Sequence, residues 1–512
     1  MLVFKIRQMR YSIYKGKTST IIKMKAKRIF RIIVLIIVCI SLQLSSCSKS
    51  EYLDRVPPTQ LVSDYIFDTP ARILGMVNGV YAAMKVNNYY GGRFLMYTDV
   101  RGEEFINTTT NSFTGFDAWA HTYNSGSADI INLWSAAYTA INRANILIDG
   151  LSIAENAAVV GDELAAAYTA EAKFLRAYAY FSMITVFARP YTEGNGASPG
   201  LPLRLQAELS MDNNNLARST VAQVYTQILQ DLDDAEENLP MQYTGTTAAL
   251  LNTTRAHKNT AIALKTRVYL NQGNWTQVIA EASKIVPQPS APFSATTGVQ
   301  HALQSDIVAT LMNNFTTSES IFSMPFTELD MLSGQSSLGY IYNGNAEYYM
   351  NPAAILNESQ WGADDARHGF LRAHATNGRF YLAKFGLNAP FLIYIPMIRY
   401  AEVLLNYAEA AAETGNLELA TNLLQAVHSR SDADYAFPAA SLASSEALVA
   451  TILIERRIEL LGEGFRSNDI TRRLLTFPAK PGPTPAQAVA PSASNYIWPI
   501  SNNELVNNDL ID

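Results

Sequence analysis

Between residues 128 and 463 the chain repeats one pattern: apolar side chains at helical spacing, a turn containing glycine, then a second apolar-striped segment. The clearest turns are Tyr269-Leu270-Asn271-Gln272-Gly273-Asn274-Trp275 and Ala411-Ala412-Glu413-Thr414-Gly415-Asn416-Leu417. In each, the glycine can end a helix in the left-handed conformation, and the Trp or Leu after Asn opens the next helix with an apolar contact. The spacing predicts helices at about 128–150, 160–187, 219–238, 256–272, 274–286, 397–414, 417–430 and 446–463. Another starts at Pro70 behind a cap at Asp68 or Thr69, with Ile73, Leu74, Val77, Val80, Tyr81 and Met84 on one face. Nothing of comparable length alternates as a strand does, so the expected fold class is all-α. Helix, Gly-Asn turn, helix is the plan of a tetratricopeptide-like unit, but the tandem of about 34 residues is missing, so insertions separate the repeats.

Two stretches depart from the pattern. Residues 287–395 are rich in Pro, Gly, Ser, Thr and Asn yet carry Phe322, Phe326, Tyr340, Tyr342, Tyr348, Tyr349 and Trp361. Long irregular segments in compact proteins are either functional or disordered, and the aromatics argue against disorder. Residues 476–493, with Pro478, Pro481, Pro483, Pro485 and Pro491, read as a surface loop.

The N-terminus is an address. From Met24 it reads MKAKRIFRIIVLIIVCISLQLSSC, in which basic residues precede an apolar run from Ile32 to Leu42 that is too short for a comfortable transmembrane helix. Leu44-Ser45-Ser46-Cys47 follows and resembles the lipobox of bacterial lipoproteins, whose cysteine is acylated and becomes the mature N-terminus. Residues 1–23 add nothing to this signal, so translation is expected to begin at Met24. Residues 1–46 are thus leader and signal peptide, and acylated Cys47 would hold the protein to membrane lipid. More than one acyl chain, each contributing about 0.8 kcal/mol per buried methylene, makes such anchoring stable.

Charge excludes some partners. The leader holds ten Lys/Arg and no acids, which leaves 29 basic against 45 acidic residues beyond it, a balance of −16. A nucleic-acid partner would need a basic face that this composition does not offer. With two cysteines, Cys39 and Cys47, there is no disulfide framework and no Cys-based metal site. The histidines at 121, 257, 301, 368, 374 and 428 form no HExxH arrangement, and neither a phosphate loop nor a Gly-x-Ser-x-Gly elbow occurs. No cofactor, metal or reaction is implied. Glu455, Glu459 and Glu463 line one helical face and could in principle supply a carboxylate pair for glycoside hydrolysis. With Arg456, Arg457, Arg466, Arg472 and Arg473 close by, they read instead as ion pairs that lock helices together, in company with Arg399.

Aromatic residues outside the helical pattern suggest binding. A sugar ring packs its apolar face on an aromatic face while its hydroxyls need amide, carboxylate or guanidinium partners. The segment Phe113, Phe116, Asp117, Trp119, His121, Tyr123, Asn124 has that mixture, and so does 340–351. The expected ligand platform is therefore Trp119, Tyr123 and Asn124 on one side and Tyr340, Tyr342 and Tyr349 on the other.

Taken in order, these local patterns resemble the SusD/RagB family of outer-membrane nutrient receptors. After the lipobox, Glu51-Tyr52-Leu53-Asp54 with Pro57 is similar to the family's opening motif. Glu171-Ala172-Lys173-Phe174-Leu175-Arg176-Ala177-Tyr178 with Tyr180-Phe181 is similar to its most recognisable helix, and Ser219-Thr220-Val221 and the Tyr269–Trp275 turn follow. Arg399-Tyr400-Ala401-Glu402, Tyr407-Ala408-Glu409-Ala410, Glu455-Arg456, Glu463-Gly464-Phe465-Arg466 and Trp498-Pro499-Ile500 continue the likeness. It departs at Phe187-Ala188-Arg189-Pro190, where the family has Phe-Gly-Asp-x-Pro, and at Gln425 and His428, where it has Asn and Arg.

The resemblance implies about four tetratricopeptide-like helix pairs in a right-handed superhelical frame, with a loop-rich region packed on it. It divides the chain into 47–245 and 246–512, together one globular unit. It further implies a non-enzymatic, surface-exposed, lipid-anchored receptor of the cell outer membrane that delivers oligosaccharides to a SusC-like TonB-dependent transporter. A peptide receptor, an α-helical glycosidase and a tetratricopeptide scaffold for protein partners are the alternatives.

Overall fold

Helix formation starts where a proline and a capping hydroxyl coincide. In the computed structural model, which describes residues 65–512 apart from 211, 313–316, 333 and 512, the Thr69 side chain accepts from the Arg72 backbone N–H and Pro70 occupies the first turn. Cys47 and the Glu51 to Asp54 motif lie outside the described residues. Helix α1 (Pro70–Met84) buries Ile73, Val77, Val80, Tyr81 and Met84, the expected face, while Leu74 is half-buried.

Ten further helices carry the frame. They are α2 (Arg93–Val100), α3 (Ala128–Leu151), α4 (Asp162–Phe187), α5 (Val221–Asn238) and α6 (Lys258–Gln272), then α7 (Trp275–Ile285), α8 (Tyr400–Glu413), α9 (Leu417–Ser429), α10 (Ser445–Glu459) and α11 (Arg466–Arg472). Packing runs α1 on α3, α3 on α4, α4 on α5, α5 on α6, α6 on α7, α7 on α8, α8 on α9 and α8 on α10. Neighbours in sequence are neighbours in space, as in helical repeat arrays. Phe67–Asp512 forms one compact unit, and the α5–α6 contact crosses residues 245 and 246.

The two Gly-Asn turns use one device. Gly273 (φ 68°) and Gly415 (φ 82°) take the left-handed conformation, and the Asn274 and Asn416 side chains cap the following helix by accepting from the Gln277 and Leu419 N–H groups.

Two helix ends differ from the sequence expectation. The segment expected to start a helix at 397 is extended over β6 (Ile395–Arg399), which pairs antiparallel with β2 (Ser320–Met324), and the helix begins at Tyr400. The helix expected to reach 463 stops at Glu459, because Gly462 (φ 82°) and Gly464 (φ 84°) turn the chain. At Gly464 a Cβ would stand 3.0 Å from the Leu95 Cα, so the turn is also a close approach to α2.

Charges lock the C-terminal helices from inside. Buried Arg399 donates to Glu459 (2.7 Å), Glu319 (2.8 Å) and Glu463 (2.8 Å). Arg367 binds Asp365, Glu455 and Glu459, and Arg430 binds Glu319 and Glu459. Arg456 joins Asp469 (3.0 Å) to Asn406 (2.7 Å). The departure at His428 sits in this network, its Nδ1 2.7 Å from Glu455 Oε2.

Between the helices, β1 (Phe105–Asn107) pairs with β3 (Tyr348–Met350), and β4 (Leu371–Ala373) with β5 (Phe380–Leu382). Residues 476–493, expected as a surface loop, fold back on themselves through bridges Phe477–Val489 and Lys480–Ala486, with Phe477 and Lys480 buried. The Lys480 ammonium is drawn inward by the carbonyls of Val100 (2.9 Å) and Arg101 (3.0 Å).

Candidate functional site

The β1–β3 ladder brings the two aromatic segments together. Ile106 lies opposite Tyr349 and Asn107 opposite Tyr348, so the loop after β1 and the loop before β3 emerge side by side. The first is shaped by Asn107, whose Oδ1 accepts from the N–H groups of Thr109 (2.9 Å) and Thr110 (3.0 Å). Asn111 then accepts from Phe113 N–H (3.1 Å) and donates through Nδ2 to Glu347 Oε1 (3.3 Å). The same buried carboxylate accepts from the Thr114 hydroxyl and the Asn345 amide. One carboxylate thus ties both loops.

Phe113 is 61% exposed, with the Arg93 guanidinium of α2 4.6 Å from its ring centroid. Arg93 also donates to the carbonyls of Phe113 and Gln335, which fixes the loop around it.

On the other side, Tyr340–Gly344 forms a π-helical turn, a conformation concentrated at functional sites. It is held by Phe391, whose ring would stand 2.5 Å from a Cβ on Gly339 and 3.1 Å from one on Gly344. Asn343 completes the turn by donating to Leu387 O (2.9 Å) and accepting from Arg372. Half-buried Tyr340 meets Phe391 edge to face at 6.5 Å, and half-buried Tyr349 carries the Arg379 guanidinium 4.3 Å from its ring centroid. Three residues other than glycine in the left-handed region, Thr110 (φ 55°), Ala346 (φ 54°) and Phe391 (φ 52°), lie on these loops. Such strain costs about 1–3 kcal/mol per residue and persists where the surroundings impose it, commonly at ligand sites.

Half of the expected platform is core. Trp119 is 0% exposed, its Nε1 donates to Phe105 O (2.8 Å), and its ring is closed in by Phe116, by Lys480 Nζ 5.1 Å away and by Gly482. The folded-back 476–493 segment is what covers it. Tyr123 is buried between His121 and Trp498, with its hydroxyl donating to Asn495 O (2.6 Å). Tyr342, also 0% exposed, stacks on Phe105 at 4.8 Å. None of the three offers a face to a ligand. Asn124 is exposed, but it shapes the turn before α3, accepting from Gly126 N–H (2.9 Å) while its own N–H donates to Ser127 Oγ (3.0 Å). Tyr340 and Tyr349 remain at the surface where the segments meet. The residues sequence reasoning passed over are Arg93, Asn111, Asn345, Glu347 and Arg379, polar groups with no aromatic signal of their own.

Exposed Phe113 and half-buried Tyr340 and Tyr349 thus lie on segments that also carry the polar groups Asn111 and Asn345, with the Arg379 guanidinium over Tyr349. Among the described residues, no group of three His, Cys, Asp or Glu side chains is placed to hold a metal ion, and no helix is long and apolar enough to cross a membrane.

Comparison with known proteins gives concordant matches. Residues 51–270 match a family described as "Starch-binding associating with outer membrane", and residues 392–512 match one described as "SusD family". SusD-like protein P2 of Formosa agariphila is 24% identical over 525 residues, covering 91% of this chain and 96% of that protein. The crystal structure of a SusD superfamily protein from Bacteroides fragilis aligns with a TM-score of 0.77 at 31% identity, over 87% of this chain and 100% of that one. A laminarin-binding SusD-like protein has the same fold, with a TM-score of 0.67 at 21% identity over 87% and 98% of the two chains.

Proposed function

Because the chain belongs to the SusD family, we propose that it is an outer-membrane lipoprotein that captures oligosaccharides at the Phe113–Tyr340–Tyr349 surface and delivers them to a SusC-like TonB-dependent transporter. The observation that carries this reading is the joining of two distant loops through Glu347, which sets exposed Phe113 and half-buried Tyr340 and Tyr349 among amide and guanidinium donors. The family description as starch-binding and the laminarin-binding neighbour support a glycan as the ligand. Acylation at Cys47 would keep the receptor beside its transporter, so that released ligand stays at high effective concentration.

On this reading the protein binds without catalysing. A general acid needs a carboxyl free to hand its proton to the leaving group. Glu347, the carboxylate at the centre of the surface, is instead occupied by Asn111, Thr114 and Asn345.

Calorimetry of the mature chain against maltoheptaose, laminarihexaose, cellohexaose and xylohexaose tests the reading. Saturable binding without product release is expected. Binding of peptides with no affinity for any glycan would replace it with the peptide-receptor reading, and release of shorter sugars would replace it with the glycosidase.

A further inference from the structure

A cavity of about 330 Å³ lies among α3, the 204–214 segment and the C-terminal helix Asn502–Asn507, and shares no residue with the surface described above. Its size falls within the roughly 300–1,000 Å³ typical of small-molecule sites. One face of α3 makes the floor, where Trp134, Tyr138, Ile141 and Asn142 recur at helical spacing; half-buried Tyr138 offers its ring and buried Trp134 and Ile141 back it from below. The Trp134 and Tyr138 ring centroids are 5.0 Å apart.

The walls are polar and set in advance. Asn142 exchanges two hydrogen bonds with the Glu208 backbone, at 2.9 and 2.8 Å. The Arg204 guanidinium donates to Glu208 (2.5 Å) and Glu504 (3.1 Å), and Glu504 also accepts from Trp134 Nε1 (3.2 Å). These contacts consume the fixed charge within the wall and leave a slight negative excess, which disfavours an anionic ligand. At the mouth, the exposed Ser135 hydroxyl and Asn503 amide have no hydrogen-bond partner among the described residues. The Tyr138 ring in the floor, amide walls and free uncharged groups at the entrance suit a neutral pyranose, whose apolar face and hydroxyls demand both kinds of partner.

We propose that this cavity is a second carbohydrate subsite that accepts a neutral sugar unit independently of the Phe113–Tyr349 surface. The proposal rests on the glycan-receptor reading of the protein. It makes the receptor bivalent toward glycan, with the second contact made by α3 and the C-terminal segment.

Fluorine NMR on the mature chain labelled with 5-fluorotryptophan tests it, with the Trp134 signal assigned through Trp134→Phe and the same four hexa- and heptasaccharides as probes. The Trp134 signal should shift saturably with at least one probe, and should still do so in a Phe113→Ala/Tyr349→Ala variant. Ser135→Phe, at an exposed position, should weaken that response at least about tenfold, because a ring in the mouth takes the volume a sugar needs. In the same variant, affinity at the Phe113–Tyr349 surface should be unchanged. A Trp134 signal that no probe moves, or one that the Phe113→Ala/Tyr349→Ala variant abolishes, overturns the second subsite. If wild-type calorimetry then still shows binding, the glycan-receptor reading stands without it; if no probe binds by either method, that reading falls as well.

Discussion

Asn111 donates a hydrogen bond to Glu347 across 236 residues of chain, and this contact joins the loop after β1 to the loop before β3. The β1–β3 ladder continues into these loops through Thr108 N–H on the Glu347 carbonyl (2.9 Å), and the Tyr348 hydroxyl donates to the Thr114 carbonyl (2.8 Å); the Glu347 carboxylate, with its other donors Thr114 and Asn345, adds the side-chain tie between them. Glu347 is buried, whereas the rings it positions are at the surface.

Glu347→Ala should therefore act on both stability and binding. Leaving buried donors unsatisfied costs about 1–3 kcal/mol, and the loop that carries Phe113 would lose its side-chain tie to the β3 segment that carries Tyr349. The expected result is a lower melting temperature together with weaker glycan affinity in calorimetry. Glu347→Gln keeps an acceptor for part of the network and should fall between wild type and Glu347→Ala in both readouts.

Phe113 and Trp119 separate binding from packing. Phe113→Ala removes an exposed ring, so stability should stay within about 0.5 kcal/mol of wild type. Affinity should fall several-fold, because an aromatic contact is worth about 0.5–1.5 kcal/mol. Trp119→Ala empties a fully enclosed site and should destabilise by about 3–5 kcal/mol. Folded Trp119→Ala protein should bind glycan almost as wild type does. Chemical denaturation paired with calorimetry reads both.

The frame was legible because its signals are local. Thr69-Pro70, Gly273-Asn274 and Gly415-Asn416 each specify a helix end through their own backbone and side chains, and the structure places caps at those residues. Faces in the irregular segments were harder to read. Aromatic density marks 113–124 and 340–351 but does not say which ring points inward. That is decided by remote contacts: Lys480 and Gly482 cover Trp119, and Phe105 covers Tyr342. Tyr349 carried a usable hint, since strand alternation turns it away from buried Tyr348 and Met350. Glu347 carried none, because its importance lies in partners more than two hundred residues away.

Glu459→Ala tests the charge network without touching the ligand surface. Its carboxylate faces Arg367, Arg399 and Arg430, and its removal leaves buried guanidiniums short of counter-charge. Breaking one partner of a buried pair typically costs about 3–5 kcal/mol. Thermal unfolding should shift down accordingly, while the fraction that stays folded keeps wild-type affinity. Lost affinity with an unchanged melting temperature would instead assign Glu459 to the binding site.

The pH dependence of stability should show two limbs of opposite sign. Burial pushes the Glu409 and Glu455 carboxyls up, but the guanidiniums of Arg472 and Arg473 beside Glu409, and of Arg367 beside Glu455, more than offset it and hold each at about 2. A carboxyl lower in the folded chain than in the unfolded one contributes stability above the ordinary carboxylate range, and that contribution is lost as pH falls toward 2. Asp99 and Asp129 behave oppositely. Burial pushes both up to about 7, only partly countered by the Gly464 and Arg466 N–H groups on Asp99 and the Tyr97 hydroxyl on Asp129. Their contribution is fully present below the ordinary carboxylate range and is lost as pH rises from there through about 7. Melting temperature should therefore peak at about pH 4, in the ordinary carboxylate range, fall toward pH 2 on one side and toward about 7 on the other, and level off above that. Asp129→Asn keeps an acceptor for Tyr97 and cannot ionise, so it should make the alkaline limb shallower, leaving the part due to Asp99, and leave the acid limb intact. A set of melting curves on wild type and Asp129→Asn measures this directly, and an alkaline limb that Asp129→Asn leaves unchanged would show that Asp129 ionises in the folded chain without penalty.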